Sequence, residues 1–270
     1  MEFVSIAMSV LISLLSPAGL AVDRVLEDAI RSQVSSVEDL DIRVDNTPTW
    51  QLLQGKISQV RIAGTGVHPI PAFRIEQIAL ETDPIDVDVR SLRQGRVRLD
   101  EPLQSGVAIA VTAADVNQWV QSPQLLEGLR NFGINLLPTP QAIQAQRYSL
   151  IDPEVAFLDD RLRVAVAIQD DQTLDNVALQ LESGFAIEQG RSLQLVNPSL
   201  LVNGEPAPRQ FTDALAAGIN RSLDLRTLAP DGITVRVIDL EIDDGKTAIA
   251  FFVRVEPVAL TVTSSGTVPR

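Results

Sequence analysis

Alternation of apolar and polar residues with a period of two constrains this 270-residue chain more than any other feature. Leu40, Ile42 and Val44 alternate with charged neighbours, and residues 85–89 repeat the pattern. Successive side chains of a strand point to opposite faces, so this spacing predicts half-buried strands. The other segments with strand-like composition are 57–62, 73–82, 97–99, 107–111, 148–158, 161–169, 174–187, 192–202, 233–242 and 247–255. Their short connections predict a largely antiparallel sheet.

A smaller part of the chain has helical periodicity. Apolar residues spaced three and four apart predict an amphipathic helix over about 20–38. Thr112, followed by Asp115, predicts a capped helix start, and Pro123 predicts the start of a second short helix. A last helix presents one apolar face, formed by Phe211, Leu215, Ile219 and Leu223. Because the helices do not alternate regularly with the strands, the order predicts an α+β fold with a few helices covering one sheet face.

The N-terminal segment 3–22 carries no charge. As a helix it would span about 30 Å, the thickness of a bilayer's hydrocarbon core. Three interpretations stay open: a retained anchor or interfacial helix, a signal peptide, or a helix buried in the domain. The membrane-anchor candidates are Phe3, Ile6, Val10, Leu11, Leu14 and Leu15. We therefore divide the chain into a hydrophobic segment 1–22, a domain 23–256 and a disordered tail 257–270.

Charge and composition exclude several classes of function. The net charge of −13 makes nucleic acid a poor partner, because binding phosphates requires a concentrated basic surface. The absence of cysteine removes thiolate chemistry, and the single histidine, His68, rules out a multi-histidine metal site within one chain. We interpret His68 as a loop residue and Gly64-Thr65-Gly66 as a turn, not a phosphate loop. No cofactor is expected.

The acidic residues are explained without invoking chemistry. Asp86 and Asp88 alternate with apolar neighbours, as do Asp239, Glu241 and Asp243, so both groups are predicted to lie on solvated strand faces. We therefore predict no metal site and no catalytic residue, and the chain is expected not to be an enzyme.

An apolar surplus in 119–137 points towards a ligand surface or a membrane. Its residues are too many to bury on one face of short helices, so they are candidates for lining a lipid groove or contacting a membrane. Capping the open end of a sheet is the alternative. The candidates are Trp119, Leu125, Leu126, Leu129, Phe132, Leu136 and Leu137. Trp50 is a further candidate as an interface anchor, with ordinary core packing as its alternative.

Several stretches of the chain resemble one family. They include Glu81-Thr82-Asp83-Pro84-Ile85-Asp86 and Val111-Thr112-Ala113-Ala114-Asp115-Val116-Asn117, together with 53–56, 60–64, 92–95, 102–107 and 232–237. Over about 22–256 the chain resembles the LmeA-like phospholipid-binding family, and within it the cyanobacterial members.

The resemblance implies a non-enzymatic protein that binds or transfers phospholipid through an apolar groove, at the bacterial cell envelope or an internal membrane. It also implies a fold similar to tubular lipid-binding proteins, with a curved sheet wrapped around a long helix. An exported, periplasmic or thylakoid location is expected. The alternatives are a membrane-associated structural or assembly factor with protein partners, and a hydrolase, which would require acids of perturbed pKa.

Overall fold

The computed structural model describes residues 34–45, 54–93, 96–123, 125–126, 148–257 and 262–263. The segment 1–22 and most of the tail 257–270 lie outside the described residues. The predicted division at these boundaries therefore stays a prediction.

Strands dominate the described residues. Those before residue 120 are β1 (Asp39–Asp45), β2 (Lys56–Ile57), β3 (Gln59–Ile70), β4 (Phe73–Thr82), β5 (Ile85–Asp86), β6 (Arg96–Val97) and β7 (Leu103–Thr112). The later ones are β8 (Tyr148–Leu158), β9 (Arg161–Asp170), β10 (Asn176–Glu188), β11 (Ser192–Val202), β12 (Glu205–Pro206), β13 (Ile233–Asp243), β14 (Lys246–Val255) and β15 (Val262–Thr263). The helices are α1 (Val89–Arg93), α2 (Ala113–Val120), α3 (Arg209–Ser222) and a 3₁₀ helix (Leu225–Asp231).

The chain divides into two units. Unit 1 comprises Met1–Ala110, Leu225–Asp239 and Ile249–Arg270, and unit 2 comprises Val111–Asp224 and Leu240–Ala248. One sheet has six strands in the order β1-β3-β4-β7-β14-β13, and another has five in the order β12-β11-β10-β9-β8. The described sheets are open and curved, and mostly antiparallel. This confirms the antiparallel α+β prediction, whereas the wrapping of a sheet around a long helix stays a prediction.

In unit 1, alternation along each strand separates a core face from an outer face. Val60 is completely buried, and its neighbour Arg61 on the same strand is exposed. Ile42, Ile62 and Leu80 lie directly opposite one another on β1, β3 and β4, so they share the core face. The buried residues of this core are Ile42, Ile57, Val60, Ile62, Ile85, Val87, Leu99, Leu103 and Val255.

Unit 2 has its own smaller core around Val155, Phe157 and Ile242. Helix α2 begins as predicted: the hydroxyl of Thr112 accepts a hydrogen bond from the backbone N–H of Asp115 at 3.1 Å. The side-chain amide of Asn117 then donates to the carbonyl of Val155 and accepts from its N–H, both at 2.7 Å. The side chain of Asn117 therefore satisfies backbone hydrogen-bonding groups of β8, the edge strand of the five-stranded sheet.

Three predictions near the start of the described chain are wrong. Residues 34–38, the end of the predicted helix 20–38, are not helical, and Ser36 forms an isolated bridge with His68. Gly64-Thr65-Gly66 is not a turn between strands, and His68 is not a loop residue, because β3 continues through them. Gly66 has a φ of +57°, and the pairing register shifts after Val67. The glycine therefore accommodates an irregularity within a strand instead of ending it.

Two further predictions fail in part. The alternation at 85–89 forms only a two-residue strand, because Val89 begins α1. The carboxylate of Asp88 accepts hydrogen bonds from the N–H of Arg90 and the hydroxyl of Ser91, which lower its pKa, so Asp88 caps a helix start. The apolar face predicted for the last helix is also not the face that is fully buried. In α3 the buried residues are Thr212 and Ala216, whereas Phe211 is 50 % exposed.

Candidate functional site

One face of the five-stranded sheet in unit 2 carries three adjoining rows of aliphatic side chains, which together extend over four strands. Val166 lies opposite Leu179, which lies opposite Val202. Leu150, Ile168 and Val177 form the row on one side of it. The row on the other side consists of Val155, Val164, Leu181 and Leu200. We define the aliphatic face as Leu150, Val155, Val164, Val166, Ile168, Val177, Leu179, Leu181, Leu200 and Val202.

The aliphatic face is incompletely buried. Val155 and Leu200 are buried, at 8 % and 3 % exposure, and they lie in the row nearest the core of unit 2. The other eight residues of the face are half-buried or exposed, and Val177 reaches 40 %. Most large aliphatic side chains of a folded domain are buried, so a contiguous group with this accessibility is a candidate apolar ligand surface.

A cluster of ion pairs in this sheet lies on its opposite face. Arg163 and Glu182 are direct cross-strand neighbours there. The Glu182 carboxylate accepts hydrogen bonds from Arg163 at 2.9 and 3.0 Å and from Arg161 at 2.8 Å. The hydrogen bonds from Arg163, followed by those from Arg161, lower the pKa of Glu182. The ten residues of the aliphatic face carry no charge themselves, and Glu205 of β12 lies directly opposite Val202 at the edge of that face.

The turn between β9 and β10 exposes a leucine in an unfavourable conformation. Leu174 has a φ of +61° and is 69 % exposed. Its backbone N–H donates to the carbonyl of Asp170 at 2.8 Å, and the Asp170 carboxylate accepts from the N–H of Gln172 at 2.9 Å. A left-handed conformation costs a leucine about 1–2 kcal/mol. The fold therefore holds a strained apolar residue in solvent, in the turn that leads into Val177.

Unit 1 contains a second apolar concavity, on the outer face of its sheet. Ala63, Ala79 and Ala108 lie directly opposite one another on β3, β4 and β7, and all three are exposed. Their methyl groups leave an open groove of about 480 Å³, which we call the alanine groove. Its other lining residues are Asp41, Arg43, Arg61, Ile62, Leu80, Glu81, Gly106, Val107, Ile238, Ala250 and Phe251.

The structure describes only some of the site residues that were predicted from the sequence. Trp119 is half-buried in α2, and Leu125 and Leu126 are half-buried in a helical stretch that follows Pro123. Trp50, Leu129, Phe132, Leu136, Leu137 and the anchor candidates Phe3, Ile6, Val10, Leu11, Leu14 and Leu15 lie outside the described residues. Their roles in a lipid groove or at a membrane stay predictions.

The aliphatic face was missed from sequence although its strands were predicted. Val164, Val166 and Ile168 alternate with smaller or polar residues, which is the signal that defines one face of β9. Periodicity gives no register between strands, however, and it does not report how completely a face is covered. Only the pairing of β8, β9, β10 and β11 shows that one row of aliphatic residues continues into the next.

Two carboxyls of the described residues are held in their charged form. Hydrogen bonds lower the pKa values of the Asp88 and Glu182 carboxyls. A general acid at neutral pH requires the opposite shift. The described part of the chain also brings together no group of three or more metal-ligating side chains.

Fold and surface together define a mostly antiparallel protein with an accessible, uncharged aliphatic sheet face. The model of the LmeA-like phospholipid-binding family matches residues 15–251, and the chain belongs to this family. Comparisons with curated proteins and with solved structures give no match. Within the described ranges, every helix is too short or too polar to cross a bilayer.

Proposed function

We propose that this protein binds phospholipid with the acyl chains on the aliphatic face of unit 2, and that it carries the lipid between membranes. The observation that carries the proposal is the incomplete burial of eight of the ten aliphatic side chains that share this sheet face. Membership of a phospholipid-binding family supports the class of ligand.

Hydrophobic transfer suffices for this function without catalytic groups. Each CH₂ removed from water contributes about 0.8 kcal/mol, so a 16-carbon chain gains on the order of 10 kcal/mol on leaving water. Extraction from a bilayer gains much less, because the chain is already in an apolar environment. Carriage between membranes therefore requires direct contact with the bilayer, and the exposed Leu174 beside the entry of β10 is suited to it.

Substitution at two adjacent residues tests the binding surface. Val177 belongs to the aliphatic face, and Ala178 is exposed on the opposite face of the same strand. Val177→Lys places a charge on the proposed acyl surface, whereas the control Ala178→Lys adds the same charge elsewhere. Both sites are accessible, so we expect little loss of stability in either variant.

The measurement is uptake of a fluorescent phosphatidylcholine by detergent-free protein. Val177→Lys is expected to weaken uptake at least tenfold, and Ala178→Lys to leave it unchanged. Equal uptake by the two variants would refute the site. Protein that takes up no phospholipid and instead retains a stoichiometric protein partner from solubilised membranes would favour the assembly-factor alternative.

Leu174→Asn tests the transfer step separately. Asparagine tolerates a positive φ, so the turn is preserved while its apolar side chain is lost. We expect slower transfer of the labelled lipid from donor to acceptor vesicles, with unchanged equilibrium uptake. Val196→Asn, at another exposed apolar residue of unit 2 (37 %), is the control. Unchanged transfer by Leu174→Asn would remove Leu174 from the mechanism.

A further inference from the structure

The alanine groove of unit 1 has the composition of a separate amphiphile site. Its floor consists of the methyl side chains of Ala63, Ala79 and Ala108 and the backbone of Gly106, and all four residues are exposed. Its apolar wall includes Ile238, which is 62 % exposed, and Phe251. A mostly apolar concavity of this volume with a few polar groups is typical of small-molecule sites.

The charged side chains at the groove differ in whether they already form ion pairs. Arg61 is occupied by Asp45 at 3.1 Å and by Glu81 at 3.2 Å. By contrast, the side chains of Asp41 and Arg43 form no ion pair or hydrogen bond with any described residue. Each of them is exposed, and each lines the groove.

Asp41 and Arg43 point to the same side of β1. They are two residues apart on one strand, so their Cα atoms are separated by about 6.7 Å and their side chains share the outer face. Asp41 lies opposite Ala63 and Arg43 opposite Arg61, which places both charges at the β1 side of the alanine row. The groove thus offers one available anion and one available cation beside an apolar floor.

We propose that the alanine groove binds a single-chain amphiphile with a zwitterionic headgroup. The acyl chain lies along the alanine row, the phosphate faces Arg43 and the ammonium group faces Asp41. A purely anionic or purely cationic headgroup matches one of these charges and is repelled by the other. This site is separate from the aliphatic face of unit 2 and does not depend on the function proposed for it.

Decylphosphocholine below its micelle concentration is a suitable probe, with decyl sulfate and decyltrimethylammonium as single-charge comparisons. Binding is followed by NMR on the full chain with ¹³C-labelled alanine methyl groups, which report on the groove directly. We expect chemical-shift changes at Ala63, Ala79 and Ala108, and tighter binding of decylphosphocholine than of either comparison. Shifts confined to unit 2, or no preference for the zwitterion, would overturn the proposal.

Two sets of variants complete the test. Ala79→Leu fills the groove and is expected to abolish the shifts at Ala63 and Ala108, whereas Gln77→Leu adds an apolar side chain at the next outward-facing position of β4, outside the groove. Asp41→Asn and Arg43→Gln are each expected to weaken binding by about threefold, the effect of one exposed charge interaction. Unchanged binding by Ala79→Leu would refute the site.

A final control separates this site from the one in unit 2. Val177→Lys is expected to leave the alanine shifts intact while reducing uptake of phosphatidylcholine. If the alanine shifts disappear in Val177→Lys, the groove is not an independent site. If phosphatidylcholine uptake fails in the wild type but the shifts persist, the function proposed for unit 2 is wrong and the groove proposal stands.

Discussion

The core of unit 1 and the aliphatic face of unit 2 use the same residue types but bury them to different extents. Val60 on β3 is fully buried, and Ile85, Val87 and Leu99 are each 1–2 % exposed. Val166 and Leu179 on β9 and β10 are only half-buried, although their strands alternate just as regularly. Alternation therefore determines which side chains share a face, and the elements packed against that face determine how much of it stays accessible.

The largest expected difference in stability between variants of the two units comes from substituting two glycines that have nearly equal φ angles. Gly55 in unit 1 has a φ of +79°, and an added Cβ would overlap the carbonyl oxygen of Val87 and lie 2.8 Å from a methyl group of Val89. Gly245 in unit 2 has a φ of +78° with open space around it. Gly55→Ala is expected to destabilise by about 3 kcal/mol, from strain plus overlap, and Gly245→Ala by about 1 kcal/mol, from strain alone.

Urea denaturation of both glycine variants, followed by circular dichroism, measures this difference. Gly245→Ala serves as the control for backbone strain. Equal losses in the two variants would mean that the surroundings of Gly55 relax easily, contrary to the tight packing inferred for unit 1.

A valine-to-alanine substitution is expected to cost more stability in unit 1 than in unit 2. Val60→Ala removes two methyl groups from a fully buried site and is expected to cost about 2 kcal/mol, including the cavity it leaves. Val166→Ala removes them from a half-buried site and is expected to cost about half as much. Denaturation midpoints at constant m-value provide the test. A cost for Val166→Ala equal to that for Val60→Ala would show that the aliphatic face is packed like a core.

A smaller effect is expected from the cap of α2. Thr112→Val keeps the side-chain shape but removes the hydroxyl that accepts from the N–H of Asp115, at an expected cost of about 1 kcal/mol. Thr65→Val is the control, since Thr65 is exposed within β3, away from any helix start. Thermal unfolding of the two variants distinguishes the cap from a general effect of losing a hydroxyl. Equal changes in Tm would contradict the capping role.

The smallest effect is a pH dependence at the charged face of the five-stranded sheet. The hydrogen bonds from Arg163 and Arg161 lower the pKa of Glu182 in the folded protein. This contribution is present above the unfolded pKa of about 4.3 and disappears as the pH falls through the lower folded value. Because the pair is partly exposed, it is worth less than about 1 kcal/mol.

Tm values measured from pH 7 down to pH 3 test the contribution of Glu182. Glu182→Gln is expected to be less stable than the wild type at neutral pH, with a difference that shrinks in acid. Glu205→Gln, at an exposed residue of β12, is the control and should track the wild type. A difference between Glu182→Gln and the wild type that persists at pH 3 would assign the effect to packing instead of charge.

Local sequence patterns were sufficient to predict the strands with clear alternation and the helix with a clear cap. Strands β4, β8 and β11 have the predicted bounds, and α2 begins after Thr112 as predicted. These signals are local, because side-chain alternation and capping depend on residues within a few positions of one another. Family membership could also be predicted from the sequence, since it follows from local stretches of residues.

Which local patterns persist in the fold, and which distant residues come into contact, depends on the tertiary structure. Gly66 could end a strand or accommodate an irregularity within it, and pairing with β4 selected the second outcome. The aliphatic face and the alanine groove arise from the pairing register, which brings together residues that are distant in sequence. Ala63, Ala79 and Ala108 are an example. Register and burial depend on contacts between distant segments, which periodicity along one strand does not encode.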